Sequence, residues 1–337
     1  MMKRLELPPD VFAVVMATGI VAIAARDHGY NVIDDSLTVV AALAFLMLSL
    51  DAAWRALIDP GQAVRHARSP DVAVLSFTFV AACAVLGTRL TQHHVVMALL
   101  GGAAALGWLI LAPLAAGDVR SRPLRALRQH AHGGWLLPSV GTAGLAITAS
   151  DLTVQHHWDG WIVLAAAAWL LAILLYGVTT GLILSRAICA RLAPRDVTPD
   201  SWILMGALAI NALAGAKIIT AMTALHVTGS LHPLLPAART VTLLAWILAS
   251  AWIPVLLYAE MWSLDHRRAG LRFARAWWSA VFPLGMYATA TQAVARSLGM
   301  PALHTVSLVI FWDAFAVWSL VALGLIHWSL STLKAST

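Results

Sequence analysis

Charged residues are scarce in this chain. Its 337 residues include 22 Lys or Arg and 16 Asp or Glu, so that 11% are charged, against about 25% in soluble domains. Hydrophobic residues make up 60% of the chain, and the mean hydropathy is +0.80. This shortage of charge excludes an ordinary soluble protein. The composition predicts an all-α protein that crosses a membrane several times.

Cysteine is nearly absent as well. Cys83 and Cys189 each lie in or beside an apolar run, which argues against a disulfide framework, and they lack metal-ligand spacing. The 13 histidines fall almost entirely in loops or at the ends of apolar runs, whereas haem needs axial ligands within the bundle. H-E-x-x-H motifs and phosphate-binding loops are missing. We therefore predict no enzyme activity, no metal and no cofactor. A membrane redox protein is the weakest alternative, and a purely structural membrane scaffold stays open.

Ten apolar runs are long enough to cross a bilayer, which takes about 20 residues. The predicted spans are 9–26, 36–58, 72–88, 93–117, 133–150, 160–186, 200–224, 237–260, 276–295 and 302–331, in a single transmembrane domain covering 1–337. Seventeen of the 22 basic residues then fall on one side and four on the other, with Lys217 inside span 7. Cytoplasmic loops are enriched in Lys and Arg. Both termini are therefore predicted to be cytoplasmic, in a plasma or inner membrane.

The net charge of +6 fits these basic loops. In a soluble protein it would suggest nucleic acid, but here it indicates loop topology and contact with anionic lipid. The expected partner is the lipid bilayer, and no nucleic acid is expected.

The ten spans read as five helical hairpins that enter from the cytoplasm and return. The first member of each pair holds most of the small or helix-disturbing residues, which let helices approach closely. Examples are Gly19, Gly87, Pro138, Gly206 and Pro283. This pattern suggests an inner ring of odd-numbered spans surrounded by smoother, more apolar even-numbered ones. An ordinary packed bundle is the alternative, because Gly and Pro are common in membrane helices.

Residues 277–292 combine an apolar run with a proline after a basic stretch. Pro283 has no N–H, so the carbonyl of Ser279 loses its helical partner, and lipid cannot satisfy that carbonyl. The bulky Phe282 stands next to this position. The stretch therefore suggests a broken helix that carries an aromatic constriction on a path through the membrane.

Three motifs in these spans carry a family resemblance. Residues 8–20 read P-P-D-V-F-A-V-V-M-A-T-G-I, residues 135–138 read W-L-L-P, and residues 277–284 read W-W-S-A-V-F-P-L. Together they resemble the tellurite-resistance/C4-dicarboxylate transporter family. That family includes TehA-type bacterial proteins, fungal malate permeases and sulfite pumps, and plant slow anion channels. The resemblance extends over nearly the whole chain.

The resemblance implies a specific architecture. Five hairpins would form a quasi-five-fold array whose odd helices line a central pore, usually in a homotrimer with one pore per subunit. It also implies that the aromatic residue of the ninth helix, here Phe282, closes the pore. A hydrophobic constriction of this kind can block ions by dewetting.

Several residues of the odd spans are further candidates for the anion path. Hydroxyls and amides can donate to a dehydrating anion, although they also bond across helices or to their own backbone. Lys217, the only cation well within a span, either attracts anions to an outer vestibule or extends to the outer headgroups. Together with the gate residues Phe282 and Pro283, the candidates are Thr18, Gly19, Pro138, Thr142, Asn211, Lys217, Gly285 and Thr289. Asp51 and Arg55, four residues apart, are predicted to form a local ion pair.

The choice within transport is between channel and carrier. A dicarboxylate carrier should offer paired Arg or Lys side chains for two carboxylates, and the spans contain no Arg at membrane depth. This favours a channel-like path for small inorganic or carboxylate anions. Proton-coupled C4-dicarboxylate (malate) transport and sulfite or tellurite export stay open as alternatives.

Overall fold

The computed structural model describes residues 8–67, 69, 71–156, 159–189, 193–225, 234–265 and 277–336, and these parts contain helices and no strand. Ten of the helices described there have 13 or more residues. They are α1 (Ala13–Asp27), α2 (Asn31–Ile58), α3 (Phe77–Arg89), α4 (His94–Ser121), α5 (Leu137–His156), α6 (Asp159–Cys189), α7 (Ile203–Ala224), α8 (Leu234–Asp265), α9 (Trp278–Leu298) and α10 (Leu303–Ser336). A short helix, Val72–Leu75, precedes α3. The basic stretch before residues 277–292, which comprises Arg267, Arg268, Arg272 and Arg275, lies outside the described residues.

Seven of the described helical segments are long and apolar enough to cross a membrane. They are Asn31–Ile58, Val72–Arg89, His94–Ser121, Gly160–Cys189, Pro199–Ala224, Leu234–Asp265 and Leu303–Ser331. The helices α1, α5 and α9 are not among them. Helix α1 has 15 residues, fewer than the about 20 that cross a bilayer, whereas α5 and α9 are long enough but less apolar. All three are mostly buried, so their surfaces need not be as apolar as a lipid-facing surface. The crossing of a membrane by all ten helices stays a prediction.

The helices contact one another in a regular order. Each odd helix packs against the even helix that follows it in the chain. The odd helices also contact each other in sequence, α1 with α3, α3 with α5, α5 with α7, α7 with α9, and α9 with α1. Each even helix in addition contacts the next odd helix, and α10 contacts α1. The odd helices thus stand inside, with the even helices outside.

Burial separates the two sets of helices. In the most apolar stretch of Pro199–Ala224, 89% of residues are buried, whereas the corresponding figure for α2 and for α4 is 11%. Large apolar side chains such as Met47, Leu99 and Leu109 are exposed on the even helices. Exposed apolar surface of this extent is what lipid covers in a membrane protein.

Glycine permits the close contacts between odd helices. A Cβ at Gly144 of α5 would lie 2.7 Å from the Cβ of Ala84 in α3, and one at Gly206 of α7 would lie 2.9 Å from the Pro283 ring in α9. These distances are too short for real side chains. A residue larger than glycine at either position would push two inner helices apart.

The predicted break at Pro283 is absent, because α9 is continuous from Trp278 to Leu298. The proline stands in the second turn of the helix. Its missing N–H therefore affects only the carbonyl of Ser279, and Ser279 lines a cavity. The carbonyl without a helical partner thus belongs to a residue that borders a cavity. This agrees with the expectation that the carbonyl does not face lipid, which could not bond to it.

Candidate functional site

A cavity of about 150 Å³ lies at the N-terminal ends of the odd helices. Every odd helix, or the turn just before it, contributes to its wall. Its lining residues are Asp10, Ala13, Met16, Leu75, Thr78, His132, Gly134, Leu137, Asp200, Ile203, Trp278, Ser279 and Phe282. We call this space the chamber. Its wall carries two carboxylates, an imidazole and two hydroxyls, so it is polar enough to hold a hydrated ion.

A second, much smaller cavity of about 10 Å³ is lined by the same five helices farther along. Its lining residues are Ile20, Ile23, Ala84, Val85, Thr88, Gly144, Ile147, Ile210, Leu213 and Met286. We call this space the sleeve. Its volume is close to the minimum that accommodates a single water molecule, and nearly all of its wall is aliphatic.

Phe282 stands between the two spaces. Its side chain lines the chamber and is 1% exposed. One helical turn farther along α9, Met286 lines the sleeve. Pro283, the other predicted gate residue, faces Gly206 of α7 and lines neither space. Of the residues predicted for the anion path, only Phe282 lines either of these two cavities.

Three of the predicted polar candidates are bonded to tryptophans of the outer helices. The indole Nε1 of Trp318 donates to Thr18 Oγ1 at 3.0 Å, and that of Trp108 donates to Thr142 Oγ1 at 2.8 Å. Trp169 Nε1 donates to the backbone carbonyl of Asn211 at 2.8 Å. These bonds join an even helix to the next odd helix.

The same arrangement occurs a fourth time, and the fifth junction differs. Trp246 of α8 donates to Thr291 Oγ1 of α9 at 2.9 Å. Between α2 and α3 the rings of Phe45 and Phe79 stack instead, with their centroids 5.9 Å apart. The hydroxyls of Thr18, Thr142 and Thr291 thus stabilise contacts between helices.

The remaining candidates lie in the helix contacts. A Cβ at Gly19 would be 2.8 Å from Val85, and one at Gly285 would be 2.8 Å from Ile20. The carbonyl of Pro138 accepts from Thr142 Oγ1 at 2.6 Å. Thr289 is buried, and its hydroxyl has no partner among the described residues.

Lys217 forms an ion pair near the C-terminal ends of the odd helices. Its Nζ lies 2.8 Å from Asp151 Oδ1 of α5, with 31% of the Lys side chain and 11% of the Asp side chain exposed. Two further pairs lie at this end of the bundle, Arg296 with Asp27 and Arg89 with Asp34. Three cations at this end thus have carboxylate partners.

His28 is also at this end, after the last residue of α1. Its Nε2 lies 2.9 Å from Ser307 Oγ. Burial lowers the pKa of the His28 imidazole, with smaller contributions from Asp27, which raises it, and from His304 and Arg296, which lower it. The low pKa favours the neutral ring beside Arg296.

The chamber contains an Asp–His pair that the sequence did not single out. His132 Nδ1 lies 2.7 Å from Asp200 Oδ2. The same carboxylate accepts from the Gly134 N–H at 2.9 Å and from the Thr198 hydroxyl. A Cβ at Gly133 would lie 1.9 Å from the Asp200 carbonyl oxygen, so only glycine lets this backbone pass so close to Asp200.

The residues that line the two cavities lie along one face of each inner helix. This pattern is present in the sequence, but it does not by itself indicate a pore. On α1 the lining residues are Met16, Ile20 and Ile23, and on α9 they are Phe282 and Met286, which is the spacing of one helix face. Aliphatic residues at this spacing are equally typical of a packed core. The face of α9 that continues from Phe282 is the sequence feature that would have identified the cavity-lining residues.

Comparison with known proteins identifies the family of this chain. A family profile described as voltage-dependent anion channel matches residues 6–326. The chain belongs to this family. The match confirms the predicted resemblance, because the family is the one that contains the tellurite-resistance and C4-dicarboxylate transporter proteins.

Individual relatives come from bacteria and archaea. An uncharacterized membrane protein of Mycobacterium tuberculosis is 32% identical over 165 residues, which is 48% of this chain and 80% of the relative. An uncharacterized transporter of Methanocaldococcus jannaschii is 21% identical over 328 residues, covering 93% of this chain and 90% of the relative. A second transporter of that organism is 23% identical over 56% of this chain and 54% of its own length. Family and relatives support a multi-pass membrane protein of anion transport rather than an enzyme.

Proposed function

We propose that this chain conducts small anions through a path along the axis of its five odd helices, closed by Phe282. One observation carries the proposal: the chamber and the sleeve lie on either side of Phe282, and all five odd helices line each of them. A path that follows a common axis has this property. A cavity formed by chance between two or three helices does not.

The direction of the helices favours anions over cations. All five odd helices begin at the chamber, since Ala13, Leu137, Ile203 and Trp278 are first helical residues and Thr78 follows one. A helix N-terminus carries a partial positive charge because its peptide dipoles are aligned. The first N–H groups of these helices are bonded to the preceding turns, for example that of Ala13 to the Asp10 carbonyl and that of Phe79 to the Ser76 carbonyl. The dipoles of five converging helices therefore attract an anion into the chamber, without a fixed cation that would bind it too tightly to leave.

The wall of the chamber argues against a dicarboxylate carrier. Neither of the two cavities is lined by Lys or Arg, whereas recognition of two carboxylates calls for two such groups. The proposed substrates are therefore small anions such as chloride and nitrate, which cross without a paired cationic site.

The remaining features of the proposal follow from the sequence and the family. In this proposal the ten spans form a quasi-five-fold array of hairpins in the inner or plasma membrane. Both termini lie in the cytoplasm. The chamber then opens to the cytoplasm, because the basic loops precede the odd helices. A homotrimer with one path per subunit is part of the same proposal.

The proposal is tested by replacing the gate. Phe282→Ala should raise chloride and nitrate flux in reconstituted liposomes at least tenfold, because removing the ring lets water enter the constriction. Phe79→Ala is the matched control, since Phe79 lines neither cavity and packs against Phe12 and Phe45. Well-folded Phe282→Ala protein with the flux of the parent would contradict the proposal, and so would equal stimulation by both variants.

A further inference from the structure

We propose that His132, held by Asp200, is the anion-binding donor of the chamber, and that a small monovalent anion binds there together with a proton on His132. This inference rests on the proposed function and adds a residue and a ligand class to it. The geometry that carries it is the chamber itself, whose wall brings His132, Asp200, Thr78 and Ser279 together around an open volume.

Asp200 holds the imidazole of His132 in place. The Gly134 N–H is shared between Asp200 Oδ2, at 2.9 Å, and His132 Nδ1, at 3.2 Å. Nδ1 itself lies 2.7 Å from Oδ2, so a proton on Nδ1 is donated to the carboxylate. With Nδ1 protonated, the remaining nitrogen, Nε2, carries either a lone pair or, in the charged form, a second N–H. Nε2 has no hydrogen-bond partner among the described residues. The side chain is 34% exposed, and it lines the chamber.

Protonation of Nε2 makes the chamber more favourable for an anion. With His132 neutral, the carboxylates of Asp10 and Asp200 in the wall oppose the attraction that the five helix N-termini exert on an anion. The imidazolium offsets the charge of Asp200 and adds an N–H donor for the ligand. Imidazole is the side chain that most readily gains and loses a proton in proteins.

Other charged groups around His132 have partners of their own. Arg186, from α6, donates to the carbonyl of Ala131 at 2.8 Å and lies 3.6 Å from Asp196. Arg122 pairs with Asp118 and Asp71, and its guanidinium lies 5.7 Å from the centre of the Trp135 ring. These two cations are neutralised nearby, and neither lines the chamber.

The volume and charge of the site define its ligand. A space of about 150 Å³ accommodates chloride or nitrate with part of its hydration. A second negative charge on the ligand would face Asp10 without a second cation to balance it. The ligand class is therefore a small monovalent anion, and sulfate serves as the divalent comparison.

The test uses the full chain with the gate removed. Phe282→Ala protein is reconstituted in liposomes with equal pH on both sides, and nitrate flux is measured from pH 5.5 to pH 8.5. We expect flux to fall roughly tenfold or more across this range, as the imidazole loses its proton. Adding His132→Gln should give a low, flat profile. Adding His130→Gln should leave the profile unchanged, since His130 is exposed and bonds to the Ala126 carbonyl.

A milder variant separates the role of Asp200 from misfolding. Asp200→Asn retains an oxygen that can accept from the Gly134 N–H but removes the charge that stabilises the imidazolium. The midpoint of the flux profile should therefore move to lower pH. An unshifted midpoint, or a pH profile that survives His132→Gln, would overturn the inference while leaving the proposed anion path intact.

A binding measurement tests the inference even if no ion crosses the membrane. At pH 5.5, nitrate should raise the thermal unfolding temperature of the detergent-solubilised parent chain more than sulfate does, and His132→Gln should lose the difference. Equal stabilisation of parent and variant by nitrate would overturn the inference. By contrast, Phe282→Ala protein that binds nitrate in this way but shows no flux at any pH would contradict only the proposed function.

Discussion

The chamber and the sleeve are built by the same five helices, yet their walls differ in chemistry. The chamber collects the helix starts, where turns bring Asp10, His132 and Asp200 to the wall. The sleeve is lined by helix interiors, where the inward side chains are chiefly Ile, Leu, Val and Met. On the proposed path an ion would meet polar groups first and then a dry passage, with Phe282 at the boundary. The difference teaches that the proposed function separates binding from blocking, with each task at a different end of the same helices.

The largest effect is expected from filling the sleeve. Leu213→Trp introduced into Phe282→Ala protein should reduce anion flux roughly a hundredfold, since a barrier of about 3 kcal/mol suffices for this factor and a larger apolar wall excludes water. Leu174→Trp is the control, because Leu174 is exposed on the outer face of α6. The measurement is nitrate flux in liposomes. Undiminished flux through folded Leu213→Trp protein would show that ions do not pass the sleeve.

The boundary between the two spaces depends on Gly206. A Cβ at this position would press on Pro283, and overpacking of this kind costs about 1–3 kcal/mol. Gly206→Ala should therefore lower the thermal unfolding temperature and alter flux by displacing Phe282. At Gly102 of α4 an added Cβ meets nothing within 4 Å, so Gly102→Ala should be neutral or stabilising. Equal unfolding temperatures for the two variants would mean that the contact between α7 and α9 has room for an added methyl group.

The smallest effect is expected beyond the sleeve, at the Lys217–Asp151 pair. Lys217→Met alone leaves Asp151 unpaired, and one extra negative charge at the mouth costs about 1 kcal/mol, or about fivefold in flux. The double variant Lys217→Met with Asp151→Asn removes a pair without net charge, so its flux should stay within about twofold of the parent. If Lys217 attracts anions by itself, the double variant will lose as much flux as the single one.

Local features of this molecule could be predicted from sequence, whereas long-range partnerships could not. The Asp51–Arg55 pair, four residues apart, is confirmed with Arg55 Nε at 2.8 Å from the carboxylate. The all-helical class and the family were also predicted correctly. Lys217 and Asp151, however, are 66 residues apart, and His132 and Asp200 are 68 apart. No spacing rule connects such residues, because it is the packing of the helices that brings them together.

The polar candidates illustrate a second reason. Thr18 and Thr142 were selected because a hydroxyl can donate to a dehydrating anion, with a bond across helices as the alternative. The sequence could not tell an anion from an indole as the partner of that hydroxyl, and the indoles of Trp318 and Trp108 come from other helices. Phe282 was identified more directly, since the adjacent Pro283 and the family motif mark its position. Its role as a gate stays a prediction.

The three inner helices that are too short or not apolar enough to count as membrane-crossing segments have a consequence for how the protein is made. A helix emerging from the ribosome is inserted according to its own length and apolarity. Helix α1 is short by that measure, with 15 residues, whereas α5 and α9 have 20 and 21 residues but are less apolar than the seven membrane-crossing segments. Each is followed within a few residues by a long apolar helix, α2, α6 or α10. We therefore expect each hairpin to enter the bilayer as a pair, with the outer helix supplying the hydrophobicity that holds the inner one in place. The residues that face lipid in the finished protein would then be those that decide whether its inner helices reach the membrane.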